Sequence, residues 1–152
     1  MMSTPDQTRT ILIVEDSDED YTAFQRVLKQ CNIVNPVRRF SNGREALDFL
    51  FNRGAYLGTN SPPPPWLIIL DLNLPGMAGD EILRVIKADP KLGIIPVVML
   101  TTSTHDDDMK RCYASTANSY LTKPIDFQEF KEIVSKCVSY WLGINRLPVS
   151  RR

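Results

Sequence analysis

The sequence is short of the residue types on which most soluble catalysts rely. It has one histidine, His105, and three widely spaced cysteines, Cys31, Cys112 and Cys137. An odd number of scattered thiols with no CxxC pair argues against a disulfide framework, a thiol redox motif or a structural zinc site. The three read as reduced small hydrophobes on helices. His105 sits in the polar loop after an apolar run and reads as a surface residue, which leaves no competing nucleophile. Long apolar runs are also lacking. Ile11–Val14 and residues 66–70 are far too short to span a bilayer. Residues 1–10 lack the apolar stretch and small-residue cleavage site of a secretion signal, so the expected compartment is the cytoplasm. Excess charge of one sign is missing too: Lys plus Arg and Asp plus Glu both number 18. Neither nucleic acid nor an anionic membrane is therefore implied as a partner, and any electrostatic function must be local. What is there is globular, with 43% hydrophobic and 24% charged residues in 152. A chain of that length forms one ordinary domain and hides roughly 70% of its extended surface.

Short apolar runs alternate with longer stretches of helical periodicity, the pattern of a parallel sheet covered on both faces. Five strand and helix pairs follow one another, without internal repeats. Strands are expected near 11–14, 37–40, 67–70, 97–100 and 119–122, the second being the weakest pattern. Helices are expected over 18–31, after the Ser41-Asn42-Gly43 turn, over 79–88, over 106–115 and from Asp126 onward. Asp106, Asp107 and Asp108 fall in a first turn, where the helix dipole favours negative charge. Asp126 and Glu129 form a capping-box pattern. The last helix carries a wide stripe of Phe127, Phe130, Ile133, Val134, Cys137, Val138 and Trp141. Such a stripe suits core packing, and its width leaves room for a second subunit. Between Asn52 and Trp66 lies a Gly-containing stretch ending in four prolines, Pro62 to Pro65, expected as a stiff surface loop.

In a doubly wound sheet, ligands collect at the carboxyl ends of the strands. Here those ends are chemically loaded. Strand one runs into Glu15-Asp16, strand three into Asp71, strand four into Thr101-Thr102 and strand five into Lys123-Pro124. Three carboxylates in one crevice repel one another unless a cation compensates them. Magnesium suits such a site, since it prefers hard oxygen ligands and keeps waters that a phosphate oxygen can replace. Asp16 and Asp71 suit direct ligation, Glu15 reaches through water, and the backbone carbonyl of Asn73 completes the set. Lys123 and the Thr101 hydroxyl then neutralise and hydrogen-bond a transferring phosphoryl group, with Asp71 as its carboxylate nucleophile.

The segments Ile11-Leu12-Ile13-Val14-Glu15-Asp16, Leu70-Asp71-Leu72-Asn73-Leu74-Pro75-Gly76-Met77, Val98-Met99-Leu100-Thr101-Thr102 and Tyr120-Leu121-Thr122-Lys123-Pro124 together resemble the response-regulator receiver family. The resemblance covers residues 8–142, leaving 1–7 and 143–152 as short terminal extensions. It implies a flavodoxin-like α/β fold with five helices and a five-stranded parallel sheet in the order 2-1-3-4-5. It further implies magnesium-dependent transfer of a phosphoryl group from a sensor histidine kinase to Asp71. The same likeness makes Thr101 and Tyr120 switch residues, the hydroxyl turning toward the phosphoryl group and the ring moving inward. Within the family the chain is most similar to regulators that partner bacterial phytochromes. It shares with them a Gly-x-Tyr loop before strand three, Thr101-Thr102-Ser103, and Tyr140-Trp141-Leu142 ahead of Leu147-Pro148. That likeness implies a phytochrome-like kinase and a homodimer built on the face of helix four, strand five and helix five, with the tail after it. With no further catalytic motif or helix-turn-helix after Leu142, output is expected through protein binding. An intermediate carrier in a phosphorelay is the alternative. An aspartyl-phosphate phosphatase fits less well, because Asn73 stands where its second acid belongs.

Overall fold

A computed structural model describes residues 8–58 and 63–148; the expectations placed on residues 1–7, Pro62 and Arg151-Arg152 fall outside them. The apolar runs become strands β1 (Ile11–Val14), β2 (Val37–Phe40), β3 (Leu67–Leu70), β4 (Val97–Thr101) and β5 (Ser119–Thr122). They pair in parallel in the order β2-β1-β3-β4-β5, the flavodoxin-like arrangement that the receiver resemblance implies. The helices are α1 (Asp18–Gln30), α2 (Gly43–Leu50), α3 (Gly79–Ala88), α4 (Asp106–Ala114) and α5 (Phe127–Ser139).

Alternate residues of a strand point to opposite faces, and the central strands are apolar on both. Leu12, Val14, Ile68, Leu70, Val97 and Met99 pack with Ala46 and Leu47 of α2, Ile82, Leu83 and Ile86 of α3, and Cys112 of α4. Ile11, Ile13, Leu67, Ile69, Val98 and Leu100 face the other way, onto Phe24, Val27 and Leu28 of α1 and Phe130, Val134 and Val138 of α5. Each fully buried side chain of this size contributes about 1.5–3 kcal/mol, so the two cores dominate the stability.

Three helices open on side-chain caps that satisfy a first-turn N–H. Ser17 Oγ accepts from Asp20 N at 3.1 Å, Asn42 Oδ1 from Glu45 N at 2.9 Å, and Asp126 Oδ2 from Glu129 N at 3.0 Å. Asp126 is thus the cap preceding α5 rather than its first residue. Past α5 the chain adds a π-helical turn, Tyr140–Ile144, that buries Leu142. Arg9 donates to the Leu142 carbonyl at 2.6 Å and lies over the Trp66 ring, clasping this turn to the start of β3.

The segment before β3 is less loop-like than its composition suggests. Gly54–Tyr56 form a 3-10 turn. Tyr56 stacks edge-on against Phe40 and Phe49, and the Arg38 guanidinium sits 4.6 Å from the Phe49 centroid. Of the described prolines, Pro63 and Pro64 are exposed and Pro65 is buried. Among the described residues no helix is long and apolar enough to cross a membrane.

Candidate functional site

Parallel pairing sets Val14 beside Leu70, so the two chains leave β1 and β3 side by side. The Asp71 N–H donates to the Val14 carbonyl at 3.1 Å, carrying the pairing one residue past the strand. Glu15, Asp16 and Asp71 consequently offer carboxylate oxygens that all lie within 4.8 Å of one another. Glu15 and Asp71 are buried while Asp16 is exposed, which gives the cluster a closed side and an open side.

Lys123 arrives from two strands away. Its N–H donates to the Thr101 carbonyl at 2.7 Å, fixing where the chain leaves β5. Its ammonium then donates to Glu15 Oε1 at 2.6 Å, Asp20 Oδ2 at 2.8 Å and Asp71 Oδ2 at 3.1 Å. Burial by itself disfavours a charged ammonium, but the hydrogen bonds to Asp20 and Glu15 and the charge of Asp71 outweigh it. The pKa of Lys123 is therefore raised and the group stays charged. Burial pushes the Glu15 carboxyl up to about 7, against the pull of Lys123.

The other strand-end residues form a connected path. Thr101 is fully buried, and its Oγ1 accepts the Ser103 N–H at 3.3 Å. The Ser103 carbonyl accepts the Tyr120 hydroxyl at 3.0 Å, so the ring is already turned in against the core. Ser103 Oγ donates to Asp108 at 2.5 Å, and Arg111 closes on the same carboxylate. The Ser103 hydrogen bond and the Arg111 charge lower the pKa of Asp108. Asp108 thus anchors the loop into α4 besides meeting the helix dipole, while Asp106 pairs with Lys110 at 3.0 Å. Asn73 is exposed, and its N–H donates to Asp71 Oδ1 at 3.3 Å. His105 is exposed, as expected.

Two neighbours of the site escape a reading of strand ends alone. Asp20 lies among the acidic residues of the first turn of α1, a placement that helix-dipole compensation already explains. The available signal is that α1 begins directly after Ser17, next to Glu15-Asp16, which swings its first turn over the acid pair. Arg39, on β2, donates from Nε to the Glu15 carbonyl at 3.0 Å and pairs with Asp18 at 2.7 Å. An arginine on an edge strand carries no such signal by itself.

Four carboxylates (Glu15, Asp16, Asp20 and Asp71) thus face one ammonium, and a hard divalent cation fits the remaining imbalance and the oxygen-only donor set. Among known proteins, the response regulator receiver domain matches residues 11–135. The chain belongs to the response-regulator receiver family. It is 42% identical over 142 residues to the response regulator Rcp1 of Synechocystis, covering 93% of this chain and 95% of Rcp1. It is 40% identical over 139 residues to the probable methanogenesis regulatory protein FilR2 of Methanothrix harundinacea, covering 91% of this chain and 86% of FilR2. The phosphorylated cyanobacterial phytochrome response regulator RcpA superposes with a TM-score of 0.85 at 36% identity, over 93% of this receiver and 99% of RcpA. The Mn(2+)-bound form of Rcp1 gives 0.84 at 40% identity, with the same coverage. This receiver is thereby a two-component signalling protein related to phytochrome response regulators. The partner of such a protein is in general a histidine kinase, and receivers take a divalent metal at their acidic pocket.

Proposed function

We propose that this receiver accepts a phosphoryl group on Asp71 from a phytochrome-like sensor histidine kinase and reports it through a changed protein-binding surface. The observation that carries this reading is the Lys123 ammonium held on Asp71 within the Glu15, Asp16 and Asp71 cluster. An oxygen of Asp71 attacks the phosphorus of the kinase phosphohistidine. The O–P bond forms as the N–P bond breaks, and the electron pair stays on the imidazole nitrogen. Lys123 neutralises charge on the phosphoryl oxygens, and a preorganised cation of this kind is what phosphoryl transfer needs most. Mg2+, held by Asp16, Asp71 and the Asn73 carbonyl and by Glu15 through water, supplies further positive charge to the same oxygens when bound.

The switch in this reading runs along the path from Thr101 to Tyr120. When the Thr101 hydroxyl turns to the phosphoryl group, the Ser103 N–H loses its partner, and the carbonyl holding Tyr120 moves with it. The face that changes comprises α4, β5 and α5. Tyr113 on α4, with Tyr140 and Ile144 after α5, leaves apolar surface exposed there, which supports a homodimer on that face and the tail. The compartment is the cytoplasm, and the domain spans residues 8–142. Incubation with Mg2+ and a small phosphodonor is expected to give an acid-stable, base-labile adduct. Asp71→Asn is expected to abolish it, and equal labelling of that variant would sink the reading.

A further inference from the structure

A lysine ammonium has three N–H bonds and donates three hydrogen bonds. In this receiver all three are taken, by Glu15, Asp20 and Asp71. Lys123 therefore has nothing to give a phosphoryl group at Asp71 until one carboxylate lets go. The cost of release differs among the three. The Glu15 side chain is only 4% exposed, so water does not replace the bond it loses, while Asp71 itself carries the phosphoryl group and keeps the ammonium through the phosphoryl oxygens. Glu15 is further held by the Ser17 N–H at 3.1 Å. Asp20 is 43% exposed and rehydrates on release, which makes its pairing the weakest to keep and the cheapest to break.

We infer that Asp20 is a positioning residue that occupies Lys123 in the unphosphorylated protein and is displaced when a phosphoryl group arrives. The Asp20–Lys123 pair then opposes filling of Asp71 and sets how readily this receiver is switched on. The inference rests on the reading of Asp71 as phosphoacceptor. Its physical content is a competition of two anions for one cation. Deleting the loser from the unfilled state removes the cost of displacing it. The fold does not depend on the Asp20 side chain for its cap, since it is the Asp20 backbone N–H that Ser17 holds.

The test is the affinity of the full chain for beryllofluoride, a stand-in for the phosphoryl group, at saturating Mg2+ by calorimetry. Asp20→Asn is expected to tighten binding roughly fivefold, the scale of a partly exposed ion pair. Asp20→Glu, which keeps the charge, is expected to restore affinity toward wild type. Glu19→Gln removes the same charge one residue earlier on an exposed turn, and is expected to shift affinity by less than about twofold because solvent and salt screen it. Tightening is not a result that structural damage produces. Unchanged or weaker binding by Asp20→Asn overturns the inference, as does equal tightening by Glu19→Gln. Asp71→Asn separates the two layers. If it abolishes binding while Asp20→Asn is neutral, only the role of Asp20 falls. If it binds like wild type, the phosphoacceptor reading falls and takes the inference with it.

Discussion

Cys112 and Cys137 show how burial decides the chemistry of a single side chain. Burial pushes the Cys112 thiol up to about 11 and the Cys137 thiol up to about 12, because a thiolate loses its hydration inside the fold. Both are raised above the value of 9.0 taken for an unperturbed thiol. The unfolded chain therefore ionises first as pH rises. The stabilisation is complete below about pH 9 and is lost above it, as the thiolates of the unfolded state come to be favoured. Urea midpoints are expected to fall between pH 8 and pH 10, and Cys137→Ala to reduce that fall by about 1 kcal/mol. A variant with an undiminished fall would show that the thiol is not the cause. Alkylation at pH 8 is likewise expected to leave the buried Cys112 unmodified until denaturant is added. Side chains whose type is unusual at their position were legible in sequence: an acid ending the apolar run of β3, a lysine leaving β5, thiols without partners. Asp20 and Arg39 were not, because an acid in a first helical turn and an arginine on an edge strand each have an ordinary explanation.

Helix α3 opens without a side-chain cap, since Ala78 stands at the position, and a backbone contact takes over the task. The Gly79 N–H donates to the Leu72 carbonyl at 2.9 Å, folding the segment after Asp71 back onto itself. A Cβ at Gly79 would stand 2.2 Å from the Asp71 carbonyl oxygen and 2.7 Å from Leu72 Cα. Both are backbone atoms of the strand end and have no rotamer to yield. Gly79→Ala is therefore expected to cost about 1–3 kcal/mol in denaturant unfolding and to weaken Mn2+ binding by displacing Asp71. Wild-type stability and metal affinity in that variant would refute the contact. Gly43 is crowded instead by a side chain, with a Cβ there 2.1 Å from Cδ1 and 2.7 Å from Cγ1 of the fully buried Ile82. At this scale periodicity located every strand and helix, with ends off by a residue or so where capping decides. The 3-10 turns Gly54–Tyr56 and Leu92–Ile94 were invisible, since three residues are too few to show a period.

The whole molecule was legible in outline because five apolar runs alternating with five amphipathic stretches admit few arrangements other than a doubly wound parallel sheet. Strand order itself came from resemblance and not from periodicity, which says nothing about neighbours. Association is the property of the whole chain left to test. If the face of α4, β5 and α5 joins two copies, the elution volume with beryllofluoride and Mg2+ is expected to be that of a dimer, and Tyr140→Glu to return it to that of a monomer. A monomer with and without beryllofluoride removes the dimer from the proposal. The long span of the Lys123–Glu15 contact bears on biosynthesis. The two residues are 108 positions apart, so the acid pair of β1 leaves the ribosome long before its ammonium exists. At about 5–20 residues per second the nascent chain carries those acids without Lys123 for roughly 5–20 seconds. Dissolved cations and the basic residues already translated, Arg39 among them, supply the counter-charge in that interval, and the last strand and helix to be translated are what close the site.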